Sequence, residues 1–137
     1  MRSAKELLEQ ARTIAVVGCS NKPYRDSNRI ATFLQRQGYK VYPVNPGFDT
    51  MLGERCYPDV KSIPEKVDIV DVFRRAEFIP GVVEDAIAAG AGAIWLQLGI
   101  THPEAEEQAR KAGLDVVSNQ CIAVDYRLYG IQRASAE

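Results

Sequence analysis

Hydrophobic positions along this chain follow two alternating patterns. Short, mostly apolar runs, such as Thr13 to Val17 and Ala93 to Leu98, are separated by segments whose apolar residues recur every three or four positions. The first pattern predicts strands buried on both faces, and the second predicts amphipathic helices packed over them. Ser3-Ala4-Lys5-Glu6 has capping-box spacing ahead of Leu7, Leu8 and Ala11, which predicts a leading helix. The strand Thr13 to Val17 runs into Gly18 and a polar turn. A helix with Ile30, Phe33 and Leu34 on one face follows, with Ser27 as its expected cap and Gly38 as its stop.

Tyr39 to Val44 predicts the second strand, with Pro43 tolerable only near an edge or a bulge. Phe48 to Lys61 is irregular, with a minor strand expected near Arg55 and Cys56. One helical turn is expected over Ser62 to Lys66. Val67 to Phe73 is the third expected strand, followed by a helix that Pro80 opens and Gly90 ends. Ala93 to Leu98 is the fourth. A helix behind Thr101-His102-Pro103 then ends at Gly113, and Leu114 to Ser118 is the fifth strand. Cys121 to Tyr129 is expected to pack as a last short helix. Strands spaced by helical segments call for crossover connections, so the expected fold is a Rossmann-like, doubly wound, mostly parallel α/β sheet of five strands with helices on both faces, in three layers. Ligands of such sheets sit beyond the carboxyl ends of the strands, where strand order reverses.

The 137 residues are 46 % hydrophobic, which suits a single domain with a core over about residues 7–129 and a tail over 130–137. Lys and Arg number 17 against 18 for Asp and Glu, and no long single-sign run occurs. That balance argues against nucleic-acid and membrane-surface partners. The lack of a leader pattern and of a long apolar span predicts a soluble, unprocessed cytoplasmic protein. Cys19, Cys56 and Cys121 fit neither a disulfide framework nor a metal site, so they are expected to be reduced thiols.

The candidate chemistry gathers at the first turn. Gly18 stands where a parallel strand hands over to a helix, where backbone amides and the positive helix end can approach a phosphate. Gly18-Cys19-Ser20 is only a fragment of a dinucleotide fingerprint, because Asn21 and Tyr24 occupy the places of further glycines. Lys22, Arg25 and Arg29 change the balance toward a ligand with several phosphates. An NAD site would place a carboxylate at the end of the second strand, and Asn45-Pro46 stands there instead. Phe73-Arg74-Arg75 offers a ring and guanidinium groups at a strand end, with core packing the competing role for Phe73. Gln97 offers a polar contact at another strand end. Asp71 is expected to meet a neighbouring backbone amide or Arg74. His102 is expected to cap a helix, and no catalytic triad, carboxylate pair or metal cluster is visible. Cys19 is the one residue with a reactive option, since a thiol beside a helix start and cations can ionise more easily, although a small residue filling a turn is the preferred role.

Five blocks in order carry a resemblance: I-A-V-V-G-C-S-N-K-P-Y-R (Ile14 to Arg25), G-Y-K-V-Y-P-V-N-P (Gly38 to Pro46), V-D-I-V-D-V-F-R (Val67 to Arg74), I-W-L-Q-L-G-I (Ile94 to Ile100) and G-L-D-V-V-S-N-Q-C (Gly113 to Cys121). Over about Leu7 to Tyr129 the chain resembles the stand-alone CoA-binding domain family that includes bacterial YccU-like proteins. That domain is similar to the nucleotide-binding half of the succinyl-CoA synthetase α subunit. The resemblance implies coenzyme A as the ligand, with Gly18, Cys19, Ser20, Asn21, Lys22 and Arg25 along its phosphates. It likewise implies Asn45 and Pro46 flanking the nucleotide, Phe73 and Arg74 near the adenosine, and Gln97, Leu98 and Gly99 bordering the pantetheine. Related sequences often carry a lysine shortly after the second-strand proline. Gly47 and Phe48 stand here, which leaves the 3′-phosphate to Lys22 or an arginine. The synthetase's phosphohistidine lies in a further domain, so ligase activity does not transfer.

Three readings stand at this level. The chain is a non-catalytic module that holds the 3′-phospho-ADP part of CoA or an acyl-CoA. Alternatively it is an acyl-transfer or thiol redox enzyme using Cys19. In the third, it is an interaction module that reports CoA status to a protein partner, with oligomerisation through its tail.

Overall fold

A computed structural model describes residues 1–132; residues 133–137 of the expected tail lie outside the described residues. Five parallel strands form the sheet: β1 (Thr13–Val17), β2 (Lys40–Val44), β5 (Ile69–Val72), β6 (Ala93–Leu96) and β7 (Asp115–Val117). Their order is β2-β1-β5-β6-β7. Because β2 is an edge strand, Pro43 is tolerated there opposite Val16. A two-stranded antiparallel ribbon, β3 (Thr50–Met51) and β4 (Glu54–Arg55), fills the irregular segment. The expected minor strand near Arg55 is half of this ribbon.

Side chains alternate across the sheet and make two cores. Ile14, Val16, Ile69 and Trp95 pack under α1 (Ala4–Gln10), α2 (Asp26–Arg36) and α5 (Ile122–Leu128), through Leu7, Leu8, Leu34 and Ile122. Ala15, Val17, Val70 and Leu96 pack under α3 (Ile79–Ala88) and α4 (Pro103–Lys111), through Val83, Ala86, Ala105 and Ala109. This is the doubly wound, three-layer Rossmann-like arrangement that the spacing predicts. Chain order reverses between β1 and β5, so the switch point lies beyond Val17 and Val72. Among the described residues no helix is long and apolar enough to cross a membrane.

The capping box of α1 forms with both of its hydrogen bonds, and His102 caps α4 by accepting from the Ala105 amide at 3.2 Å. Three local expectations fail. Ser27 does not cap α2. Arg25 is the N-cap and offers no side-chain bond, while Ser27 sits buried inside the first turn. Ser62 to Lys66 is not helical. The Asp59 carboxylate takes the Ser62 amide at 2.9 Å and the Asp85 carboxylate takes the amides of Val60 and Lys61, so side-chain carboxylates hold the backbone that leads into this stretch as a series of turns. Asp71 meets neither a backbone amide nor Arg74. It is fully buried at the sheet centre, and both carboxyl oxygens lack a partner among the described residues.

Candidate functional site

β1 runs into Gly18, whose amide continues the sheet by donating to Val44 O at 2.9 Å. Its φ of +83° lies in the left-handed region, and a Cβ built there would stand 2.5 Å from Phe73 O and 2.9 Å from Arg74 Cδ. Glycine is therefore required twice over: by the backbone angle and by the close approach of the β5 carboxyl end.

The turn that follows is held by side chains from the start of α2, from the turn itself and from the end of β2. Ser27 Oγ accepts from the Ser20 amide at 2.9 Å, and Asn28 Nδ2 donates to Ser20 O at 2.8 Å. Ser20 Oγ accepts from the Lys22 amide at 3.1 Å. From the neighbouring strand end, Asn45 Nδ2 donates to Cys19 O at 3.1 Å, while its Oδ1 takes the Gly47 amide at 3.0 Å. Asn45 is thus a brace between two loops. An aspartate there could not donate to the carbonyl, which gives a structural reason for the missing ribose carboxylate. Neither Ser27 nor Asn28 carries a sequence signal for this role, because a serine and an asparagine in a helix's first turn ordinarily read as capping residues.

The braced turn lines a hollow of about 560 Å³ together with the start of α2. Gly18, Ser20, Asn21, Lys22 and Arg25 line it, joined by Asn45 and Phe73 from the next two strand ends. Of the three expected cations, Arg29 is engaged: it pairs with Asp26 and donates to Tyr24 O at 2.9 Å. The side chains of Lys22 and Arg25 have no protein partner among the described residues. Two unpaired cations therefore face a helix start that no side chain caps, an arrangement that attracts a multiply charged anion.

The other expected residues distribute around this hollow. Pro46 and Arg74 line a separate hollow of about 300 Å³ with Lys61, a residue that sequence reasoning missed because it comes from the irregular segment. Arg74 rests on the Phe78 ring, 4.1 Å from its centroid. Gln97 and Leu98 line an apolar groove of about 550 Å³ on the other side of Phe73, built partly by α5. Gly99 borders a shallower depression with Phe73 and Arg74. Phe73, half-buried, thus stands between the hollow at the Gly18 turn and the groove instead of disappearing into the core.

Cys19 departs from its reactive option. Its side chain is buried beneath the turn, and burial, with Cys56 and Asp71 nearby, pushes its thiol up to about 12. Burial also raises Cys56, whereas Cys121 is partly exposed. At pH 8 the thiolate fraction of Cys19 is on the order of one in ten thousand. Iodoacetamide is therefore expected to alkylate Cys121 in the native protein and Cys19 only after unfolding, as peptide mass mapping would report. Native-state modification of Cys19 would show that its thiol is not held as the structure places it.

The profile of the CoA binding domain family matches residues 12–127. The uncharacterized protein YneT of Bacillus subtilis is 39 % identical over 120 residues, covering 88 % of this chain and 89 % of YneT. A solved structure of a hypothetical protein from Pyrococcus horikoshii superposes with a TM-score of 0.89 at 40 % identity, covering 92 % of this chain and 89 % of that one. The ADP-forming acetate–CoA ligase I of Archaeoglobus fulgidus is 30 % identical over 129 residues; the match takes in 87 % of this chain but 19 % of the ligase. A glycine turn flanked by two unpaired cations, at the switch point of a Rossmann-like sheet, thus occurs in a chain that belongs to the CoA binding domain family.

Proposed function

We propose that this chain is a cytoplasmic module that holds the 3′-phospho-ADP part of CoA or an acyl-CoA and carries out no catalysis of its own. The observation that supports the reading most directly is the pair of unpaired cations, Lys22 and Arg25, over the uncapped start of α2 and the braced Gly18 turn. The diphosphate lies along that turn. Adenosine extends toward Pro46 and Arg74, where Lys61 and Arg74 are the cations available to the 3′-phosphate. Pantetheine passes Phe73 toward Gln97, Leu98 and Gly99. Ligase chemistry is not assigned to this chain, which matches only 19 % of the ligase. The role of His102 as a cap and the burial of Cys19 favour binding without catalysis.

Calorimetric titration with CoA, dephospho-CoA, NAD and NADP tests the reading. CoA is expected to bind tightest, and NAD binding as tightly as CoA would defeat it. Lys22→Ala and Arg25→Ala are each expected to weaken CoA binding by at least about tenfold, since a charged hydrogen bond contributes about 1.5–3 kcal/mol. Their thermal midpoints should stay close to that of the parent, because neither side chain has a protein partner to lose. Undiminished CoA affinity in both variants would remove the turn as the phosphate site.

A further inference from the structure

The groove beyond Phe73 adjoins the hollow at the Gly18 turn: Asp26 and Phe73 line both. Its character is different. Ile30, Phe33 and Ile100 form apolar walls, and two branched apolar side chains stand at its lips in water: Leu98 is 70 % exposed and Val124 54 %. The two arginines on its margin are engaged, Arg29 with Asp26 and Arg127 over the Phe33 ring at 4.4 Å. A volume of about 550 Å³ with apolar walls suits a small apolar ligand group.

One buried polar group interrupts the lining. Gln97 is only 5 % exposed, and its Oε1 accepts from the Ile122 amide at 3.2 Å. That partner can only donate, so the hydrogen bond fixes which way the side-chain amide points. Nε2 is left as a donor without a protein acceptor among the described residues. A carbonyl group entering the groove would supply one.

Resting on the CoA reading above, we infer that this groove receives the acyl group of an acyl-CoA and selects apolar chains. Gln97 Nε2 donates to the thioester carbonyl, and the chain runs between Leu98 and Val124. Each methylene fully removed from water contributes a factor of about four in affinity, and a groove covers a chain only in part. Octanoyl-CoA is therefore expected to bind at least about tenfold tighter than acetyl-CoA or succinyl-CoA.

Calorimetry with CoA, acetyl-CoA, succinyl-CoA and octanoyl-CoA tests this, on the parent chain and on Val124→Asp, with the ratio of octanoyl to acetyl affinity as the readout. The ratio should be at least about tenfold in the parent and fall toward one in the variant. A ratio near one in the parent, with CoA still bound, overturns the acyl selection and leaves the CoA reading intact. A preference for succinyl-CoA, or an octanoyl preference that survives Val124→Asp, overturns it as well. So does a parent dimer that Val124→Asp separates, since a second copy would then cover the groove. Failure of every CoA species to bind defeats the CoA reading, and the acyl inference with it.

Discussion

Gly18→Ala is expected to destabilise the fold by about 2–5 kcal/mol and to abolish CoA binding, and Gly18→Val to do at least as much. Two costs combine. A side chain at φ +83° costs about 1–2 kcal/mol, and a Cβ 2.5 Å from Phe73 O forces the β1 and β5 ends apart at a further ~1–3 kcal/mol. The sequence alone suggests another reason, that a side chain would keep the ligand from the backbone. The two explanations separate at alanine, whose single methyl already meets the Phe73 carbonyl. Gly113 supplies the control: its φ is +92°, but a Cβ there has nothing within 4 Å, so Gly113→Ala should cost only the conformational part. Urea midpoints for the three variants would decide. If Gly18→Ala and Gly113→Ala proved equally mild while Gly18→Ala lost CoA, ligand approach and not the strand contact would be what demands glycine.

Asp71→Asn is expected to stabilise the protein at neutral pH, by roughly 2 kcal/mol or more. The carboxyl is fully buried on β5 between Val16 and Trp95 with no partner for either oxygen among the described residues, and desolvation holds its pKa well above the ordinary 3.8. The folded state therefore keeps a proton that the unfolded chain gives up near pH 4. Between the unfolded and folded pKa values the native state binds more protons, so the stability contributed by this group is full below about pH 4 and is lost as pH rises, by up to about 1.4 kcal/mol per unit. Asparagine does not titrate, so its advantage should be small near pH 4 and grow toward pH 7. Denaturant midpoints of the parent and Asp71→Asn at pH 4, 5.5 and 7 provide the check. A difference between the two proteins that stayed constant across that range would mean that the carboxyl is solvated or partnered in the folded state.

The order of strands and helices and the carboxyl-end location of the candidate site were readable in one dimension. Both follow from local signals: apolar runs, helical spacing, and the glycines at 18, 38, 90 and 113 that adopt positive φ where strands or helices end. The cation count was only partly readable. Lys22, Arg25 and Arg29 look alike in sequence, and the Asp26 pair and the Tyr24 carbonyl that occupy Arg29 depend on how the turn closes.

What the sequence by itself determined was periodicity, and through it the sheet, the helices and the turn that would face a phosphate. Only the tertiary structure decided which groups remain available there. Ser27 became a brace and not a cap, Cys19 turned inward, Asn45 bridged two loops, and Lys61 and α5 arrived from distant segments to complete the neighbouring hollows. The physical reason is that hydrogen-bond partners and burial are set by contacts between residues far apart in the chain. A residue's own type restricts what it can donate or bury, but which of those options it uses depends on the strand and helix packed against it.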